Sequence, residues 1–264
     1  QPRVEALRVV DDGRAGGGPV GDKAAVTTRH DAARVRVLAL GGALAQGDAK
    51  RGEYLAKAGG CIGCHTEEKK DAVPFAGGRA LKSPFGTFYG PNITPHPQAG
   101  IGRWTEADFI RAMRLGDRPD GKNYFPAFPY PSFTKISDSE LRHIWAYLRS
   151  LPPSARANQE HDLKFPFGWR FLVTFWKWLY FTPGSLLKIQ GLSDIANRGA
   201  YLVQALGHCG ECHTPRNFLG GPKRNRFLAG GKGPEGKDIP NLTPVKLKKL
   251  SDQDLMDFLT TGLT

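Results

Sequence analysis

Two five-residue runs constrain this chain more than anything else in it. They are Cys61-Ile-Gly-Cys64-His65 and Cys209-Gly-Glu-Cys212-His213, and between them they use all four cysteines. Two thiols three residues apart face the same way on one helical turn. C-x-x-C-H is the attachment spacing of c-type haem: both sulfurs form thioethers to the porphyrin, and the His that follows offers a nitrogen to the iron. Other chemistries fit less well. A thioredoxin-type redox pair calls for a βαβ setting, and no such pattern surrounds either run. Paired zinc ligands stand about 15–20 residues apart, whereas these pairs lie far apart in the chain. The expected cofactors are two covalently bound haem c groups. Cys61, Cys64, Cys209 and Cys212 are the attachment points, and His65 and His213 the metal ligands.

The surroundings of the two runs are duplicated. Arg51-Gly-Glu-Tyr54-Leu55 precedes the first and Arg198-Gly-Ala-Tyr201-Leu202 the second. Phe75-Ala-Gly-Gly78 is echoed by Phe227-Leu-Ala-Gly-Gly231, and Pro91-Asn92-Ile93-Thr94-Pro95 by Pro240-Asn241-Leu242-Thr243-Pro244. Thr105 with Asp108, and Ser251 with Asp254, have the form of capping boxes opening helices that stop at Gly116 and Gly262. A further helix is expected from Ser137, boxed by Glu140, to Leu151. A period of roughly 147 residues is too long for a solenoid unit, so the expectation is two tandem domains with one haem each. The second repeat ends soon after Gly262, and its last loop and helix are expected to be missing from the sequence as given. Asn92 and Asn241 match a glycosylation triplet, but their recurrence favours hydrogen bonding to a haem edge or to their own loop.

The 33 Gly and 20 Pro suit irregular loops wrapped around a ring rather than long bundles. The fold class expected is all-α, rich in irregular Gly/Pro loops. Its divisions are a poorly structured extension (1–46), a first domain (47–152), an aromatic connector (153–192) and a second domain (193–264). Val37–Ala45 reads either as the end of a signal peptide or as a helix leading into the first domain. The connector holds Phe165, Trp169, Phe175, Trp176, Trp178 and Tyr180. Packing between the domains is the first reading, and a partner- or membrane-facing patch the second.

Gly52-Glu-Tyr-Leu-Ala with Cys61-Ile-Gly-Cys-His65-Thr, Phe85-Gly-Thr-Phe, Pro91-Asn-Ile-Thr-Pro, Gly100-Ile-Gly-Arg-Trp104, Pro126-Ala-Phe-Pro-Tyr130-Pro and Leu206-Gly-His-Cys-Gly-Glu-Cys-His213-Thr-Pro-Arg-Asn217 carry a resemblance. From about residue 47 onward the chain resembles the multihaem cytochrome c family that includes the cytochrome subunits of membrane-bound alcohol and gluconate dehydrogenases. It looks closest to two-haem members. The resemblance implies class I cytochrome c folds and a periplasmic location, often with attachment to the inner membrane. It also implies electron passage from a dehydrogenase toward quinone, another cytochrome or an oxidase. On the same ground Trp104 is a cofactor-binding candidate.

One departure stands out. Where those subunits carry Pro-Ala-Met-Pro-Tyr, with Met as sixth iron ligand, this chain has Phe128. Met113 is the Met of the first repeat. It is taken as the replacement ligand, with a core position on a helical face with Phe109 and Ile110 as the competing reading. His96 and His143 are weaker candidates, the first in a Pro-rich loop and the second on the last helix. Arg216 is expected to meet a haem propionate.

The formal charge of +12 is read as steering toward an acidic redox partner or anionic lipid. Nucleic acid is not expected, because no nucleic-acid motif is present. The favoured role is an electron carrier whose partner is a dehydrogenase, a cytochrome or an oxidase. The alternative is a dihaem enzyme of peroxidase or thiosulfate-dehydrogenase type working at an open first haem.

Overall fold

The computed structural model describes residues 47–233 and 236–262. The expected N-terminal extension and the Val37–Ala45 run lie outside the described residues.

The first repeat opens on α1 (Ala49–Ala58), which is N-capped by the Asp48 carboxylate. One short helix, α2 (Cys61–His65), follows at once. The chain then folds into a hairpin, β1 (Ala80–Ser83) against β2 (Gly86–Tyr89), with Leu81 opposite Phe88. Helix α3 (Glu106–Leu115) starts at the expected reciprocal box of Thr105 and Asp108 and ends at Gly116 in the left-handed region. Helices α4 (Tyr130–Phe133) and α5 (Asp138–Ser150) complete the repeat.

Leu141, Ile144 and Leu148 recur at helical spacing on α5 and are all buried. They join Leu55 of α1 and Phe109 and Met113 of α3 in one apolar cluster. Burying each such side chain contributes about 1.5–3 kcal/mol. The approach of α1 to α5 is set by a missing side chain. A Cβ on Gly52 would lie 1.8 Å from the His143 carbonyl oxygen and 2.8 Å from the Tyr147 Cβ. The His143 ring accepts the Asp48 N–H through Nδ1 at 2.8 Å, so this residue is a satisfied helix histidine.

The connector is partly a strap and partly a helix. Strand β3 (Asp162–Leu163) extends the hairpin by pairing with Gly86 and Thr87, and α6 (Leu172–Tyr180) follows. The second repeat then runs through α7 (Asp194–Tyr201), a π-helical turn at Leu202–Leu206, and α8 (Gly210–His213). Next come β4 (Gly231–Lys232) paired with β5 (Asp238–Ile239), then α9 (Pro244–Leu247) and α10 (Asp252–Thr261). Helix α10 repeats the box, Ser251 with Asp254, and the left-handed stop, Gly262. The elements are mainly helical, as expected, with short strands that the all-α reading did not include. The segment after each Gly-Gly pair zips into a short antiparallel ladder, because extended backbone on both sides of a turn satisfies its own N–H and C=O groups.

Two further expectations are revised. Ser137 caps α5, accepting from the Glu140 N–H at 3.3 Å, but the box does not close. The Ser137 N–H donates instead to the Tyr201 hydroxyl oxygen at 3.0 Å. The Glu140 carboxylate turns to Tyr201 and to Arg198 of the second repeat. The connector does not simply fill the gap between repeats either: Phe165, Trp169, Phe171, Phe175 and Trp178 are half-exposed or more. Only the opposite side of α6 packs, through buried Val173, Thr174 on Asn123, and Trp176 on Leu219.

The repeats share a core. Ala205 and Leu206, from the π-helical turn before the second motif, are buried in the same cluster as Leu55 and Ile144. The matched glycine Gly199, by contrast, would have nothing within 4 Å of an added Cβ, and α10 has no buried side chain. Gly52→Ala is expected to destabilise by about 1–3 kcal/mol or more, as overpacking does. Gly199→Ala should be neutral or slightly stabilising through its helix propensity. Denaturant unfolding of the two variants side by side checks this asymmetry.

Candidate haem-binding site

Each motif helix presents its His in the same way. His65 Nδ1 lies 2.7 Å from the Pro91 carbonyl oxygen, and His213 Nδ1 lies 2.8 Å from that of Pro240. An Nδ1–H donated to a carbonyl fixes the ring and leaves Nε2 as the ligating nitrogen. The backbone is held as well. Gly77 N–H donates to the His65 carbonyl, and Gly230 N–H to that of His213, both at 2.8 Å. These glycines have φ of 77° and 75°, a left-handed conformation that favours Gly. Thr66 Oγ1 accepts from Phe75 N–H at 3.0 Å, and Thr214 Oγ1 from Leu228 N–H at 3.1 Å. Phe75 and Leu228 share positive φ, 62° and 59°. Leu228, rather than the neighbouring Phe227, thus takes the place of Phe75, because backbone conformation is what the repeat retains.

The two Pro-Asn-x-Thr loops aim those proline carbonyls. Asn92 Oδ1 accepts from both the N–H (2.9 Å) and the hydroxyl (2.7 Å) of Thr94; Asn241 does the same for Thr243 at 2.8 and 2.7 Å. Asn92 is buried, and its amide donates to the Ser154 and Arg156 carbonyls. The Asn92 amide is therefore committed to the polypeptide, in line with the own-loop alternative. Asn92 is a positioning residue for His65, and Asn241 makes the matching turn for His213.

Burial lowers the His65 pKa, opposed only partly by the Pro91 carbonyl, and so favours the neutral imidazole that ligates. Burial pushes the Cys61 thiol up to about 12 and also raises Cys64 and Cys209. A thioredoxin-type pair needs the opposite shift. Among the described residues, no group of three or more His, Cys, Asp or Glu side chains is placed to hold a metal ion.

Two buried polar atoms of the first repeat lack a partner, Arg79 Nε and the Tyr130 hydroxyl. Arg79 lies close enough to Cys64 for its charge to act on that thiol. Only Nε of this guanidinium is left over, since Arg79 Nη1 pairs with the Glu68 carboxylate at 2.7 Å, and an unpaired donor inside a protein is costly. The paired thiols, the two carbonyl-held imidazoles and the leftover buried Nε together form a donor set that fits a haem. Sequence reasoning missed Arg79; the available signal was a cation following Gly-Gly in both repeats, Arg79 and Lys232.

Other candidates sit differently. Arg216 is engaged by Glu211, with Nη2 to Oε2 at 2.5 Å, and by the Gly220 carbonyl. Trp104 is half-buried against the first core. Met113 is buried in that core, with Phe128 packed against the cluster, which supports its packing role. His96 accepts two N–H groups of its own turn, from Gln98 and Ala99.

The two motifs are neighbours. A Cβ on Gly60 would lie 3.8 Å from His208 Cε1, and the His208 ring stands edge-on to Phe133 at 5.2 Å. Glu211, inside the second motif, accepts the Ser132 hydroxyl at 2.6 Å, on the Pro-Tyr-Pro-Ser-Phe segment that follows Phe128. Cys212 lies within electrostatic reach of Cys64.

A cytochrome c family model matches residues 49–152, the first repeat. A diheme cytochrome c-type protein of Cereibacter sphaeroides is 45% identical over 83% of this chain and 74% of its own length. The cytochrome c subunit of a quinone alcohol dehydrogenase from Gluconobacter oxydans is 40% identical over 81% of this chain and 46% of its own. That of gluconate 2-dehydrogenase from Pantoea cypripedii is 37% identical over 81% and 51%. The chain spans about half the length of these two dehydrogenase subunits. It belongs to this family of electron-transferring c-type cytochromes, and with the family comes covalently bound haem c.

Asn92→Ala leaves the Ser154 and Arg156 carbonyls and the Thr94 N–H without their partner, so a loss of about 1–3 kcal/mol is expected. Denaturant titration checks it, and the same change at the less buried Asn241 should cost less. A second expectation concerns acid. Arg156 and Lys69 depress Glu67 from 4.5 to about 2, and Arg156 also covers Gly78 beside Arg79. A depressed carboxylate gives stability that is complete above the unfolded pKa and is lost as pH falls through the folded one. The small contribution of this pair should fade between about pH 4.5 and 2, and Glu67→Gln should lessen that dependence in acid unfolding curves.

Proposed function

We propose that this chain is a dihaem electron carrier with one haem c in each of two tandem class I cytochrome c repeats, the first at 47–152 and the second at 193–264. The observation that carries the reading is the twin His clamp: His65 on Pro91 and His213 on Pro240, at matching distances and in matching loops. Cys61, Cys64, Cys209 and Cys212 would hold the porphyrins, and His65 and His213 the irons. Bound haem supplies one-electron iron chemistry. The chain's own residues orient both imidazoles, and burial favours the neutral form of His65.

Side-by-side motifs support a short internal relay. The partner is proposed to be a dehydrogenase upstream and a cytochrome, quinone or oxidase downstream, because relatives carry the names of dehydrogenase cytochrome subunits. The need to assemble thioether-bound haem supports a periplasmic location, with attachment at the inner membrane. No helix among the described residues is long and apolar enough to cross a bilayer. If the first iron takes a sulfur ligand from its own repeat, that ligand is Met113, because no other thioether is available there. The dihaem-enzyme reading has Phe128 in its favour, since phenylalanine leaves an iron position open.

Mass spectrometry of the periplasmic protein is expected to show two haem groups per chain, one lost with Cys61→Ala/Cys64→Ala and the other with Cys209→Ala/Cys212→Ala. A bare chain overturns the reading. Met113→Leu abolishes the far-red sulfur-to-iron band if Met113 ligates and leaves it unchanged if it only packs. Ready carbon monoxide binding together with peroxide or thiosulfate turnover would favour the enzyme.

A further inference from the structure

The connector carries an aromatic ridge that the electron-transfer reading does not use. Phe165 and Trp169 meet edge-on at 5.0 Å, and Trp169 stacks on Phe171 at 5.6 Å. Phe175 and Trp178 continue the line along α6 at helical spacing. Exposure along the ridge runs from 50% at Trp169 to 83% at Trp178. Phe218, 84% exposed, borders it through the Leu219 carbonyl that accepts from Trp176. Solvent-exposed aromatic clusters of this kind mark interaction surfaces.

Charge decides which kind. From Leu163 to Ser193 there are four cations, Lys164, Arg170, Lys177 and Lys188, and no Asp or Glu. Arg170 and Lys177 turn inward, to the Asn123 carbonyl and to Asp117. The exposed cations lie at the margins. Lys164 is at one end; Lys223, Arg224 and Arg226 are at the other, joined to α6 by the Arg224 hydrogen bond to the Tyr180 carbonyl at 2.6 Å. Trp and Phe projecting from a ridge, an acid-free segment and a basic margin together match the interfacial zone of an anionic bilayer. There, aromatic rings enter the headgroup boundary and cations meet lipid phosphates.

We propose that Phe165, Trp169, Phe171, Phe175 and Trp178 dock this cytochrome on an anionic lipid surface, with Lys223 and Arg226 as its electrostatic margin. The proposal rests on the placement at the membrane given above. Its test is separate from haem content and redox behaviour, which stand whatever the lipid result.

The experiment is flotation of the haem-loaded chain with vesicles of phosphatidylcholine alone or mixed with phosphatidylglycerol. Wild type should float with the mixed vesicles, and less so in high salt. Phe175→Ser/Trp178→Ser should bind at least about tenfold more weakly, given the apolar area removed, with an unchanged haem spectrum and unfolding midpoint as proof of folding. Lys223→Glu/Arg226→Glu should lose the preference for phosphatidylglycerol while Phe175 and Trp178 remain. The proposal falls if wild type stays with the pellet, or if the aromatic variant floats equally well. It also falls if wild type fails to float and sedimentation velocity shows a dimer that the aromatic variant dissociates, since a second copy then covers the ridge.

Discussion

The Nδ1–carbonyl hydrogen bond of each motif histidine is the contact on which the site depends. A C-x-x-C-H run on its own fixes only the spacing of its atoms. It becomes a seat when a second loop, some 26 or 27 residues further on, presents a proline carbonyl to the ring. Proline cannot donate, and its fixed φ stiffens the loop that presents the acceptor. The following Asn holds the loop closed by accepting twice from a single Thr. The motif His is thus oriented by a separate loop of the chain, in the manner of outer-shell partners at metal sites.

The second dependence lies between the repeats. The π-helical turn before Cys209 drives Leu206 into the core built by α1, α3 and α5. Glu140 and Glu211 reach in opposite directions across the boundary, to Tyr201 with Arg198 and to Ser132. An apolar anchor and two carboxylate contacts determine how closely the motifs stand. The duplicated sequence therefore produces two seats that are alike locally and unlike in their surroundings. One is embedded in a core; the other is built on helices whose faces remain open, as Gly199 and α10 show.

The local features were legible because each is written in a few adjacent residues. Capping boxes at Thr105 and Ser251, left-handed stops at Gly116 and Gly262, and both Cys-His runs follow from short-range chemistry. What escaped was set by which partner each side chain takes in the fold. Ser137 and Glu140 have the spacing of a box, yet Tyr201, 61 residues away from Glu140, competes successfully for the carboxylate. Arg216 has the position of a propionate partner, but Glu211, five residues back, holds it. Arg79 gave no signal beyond one basic residue after two glycines. Its unpaired Nε is visible only when burial is known. Strand β3 escaped for a similar reason, because it comes from the connector and pairs with β2, far back in the sequence.

Inequivalent surroundings have an electrical consequence. A haem potential responds to axial ligand, burial and nearby hydrogen bonds. The first seat has Phe128 where the dehydrogenase subunits place a methionine, a guanidinium with a buried Nε near Cys64, and a packed core behind it. The second has Lys232 in place of Arg79 and more open helices. Two identical sites would let an electron rest on either with equal preference. If each repeat holds a haem as proposed, these differences in charge and solvent access would make the two irons hold an electron with different affinities. On that proposal duplication would supply the pair, and divergence at Phe128, Arg79 and the flanking helices would supply the bias that a directional relay requires.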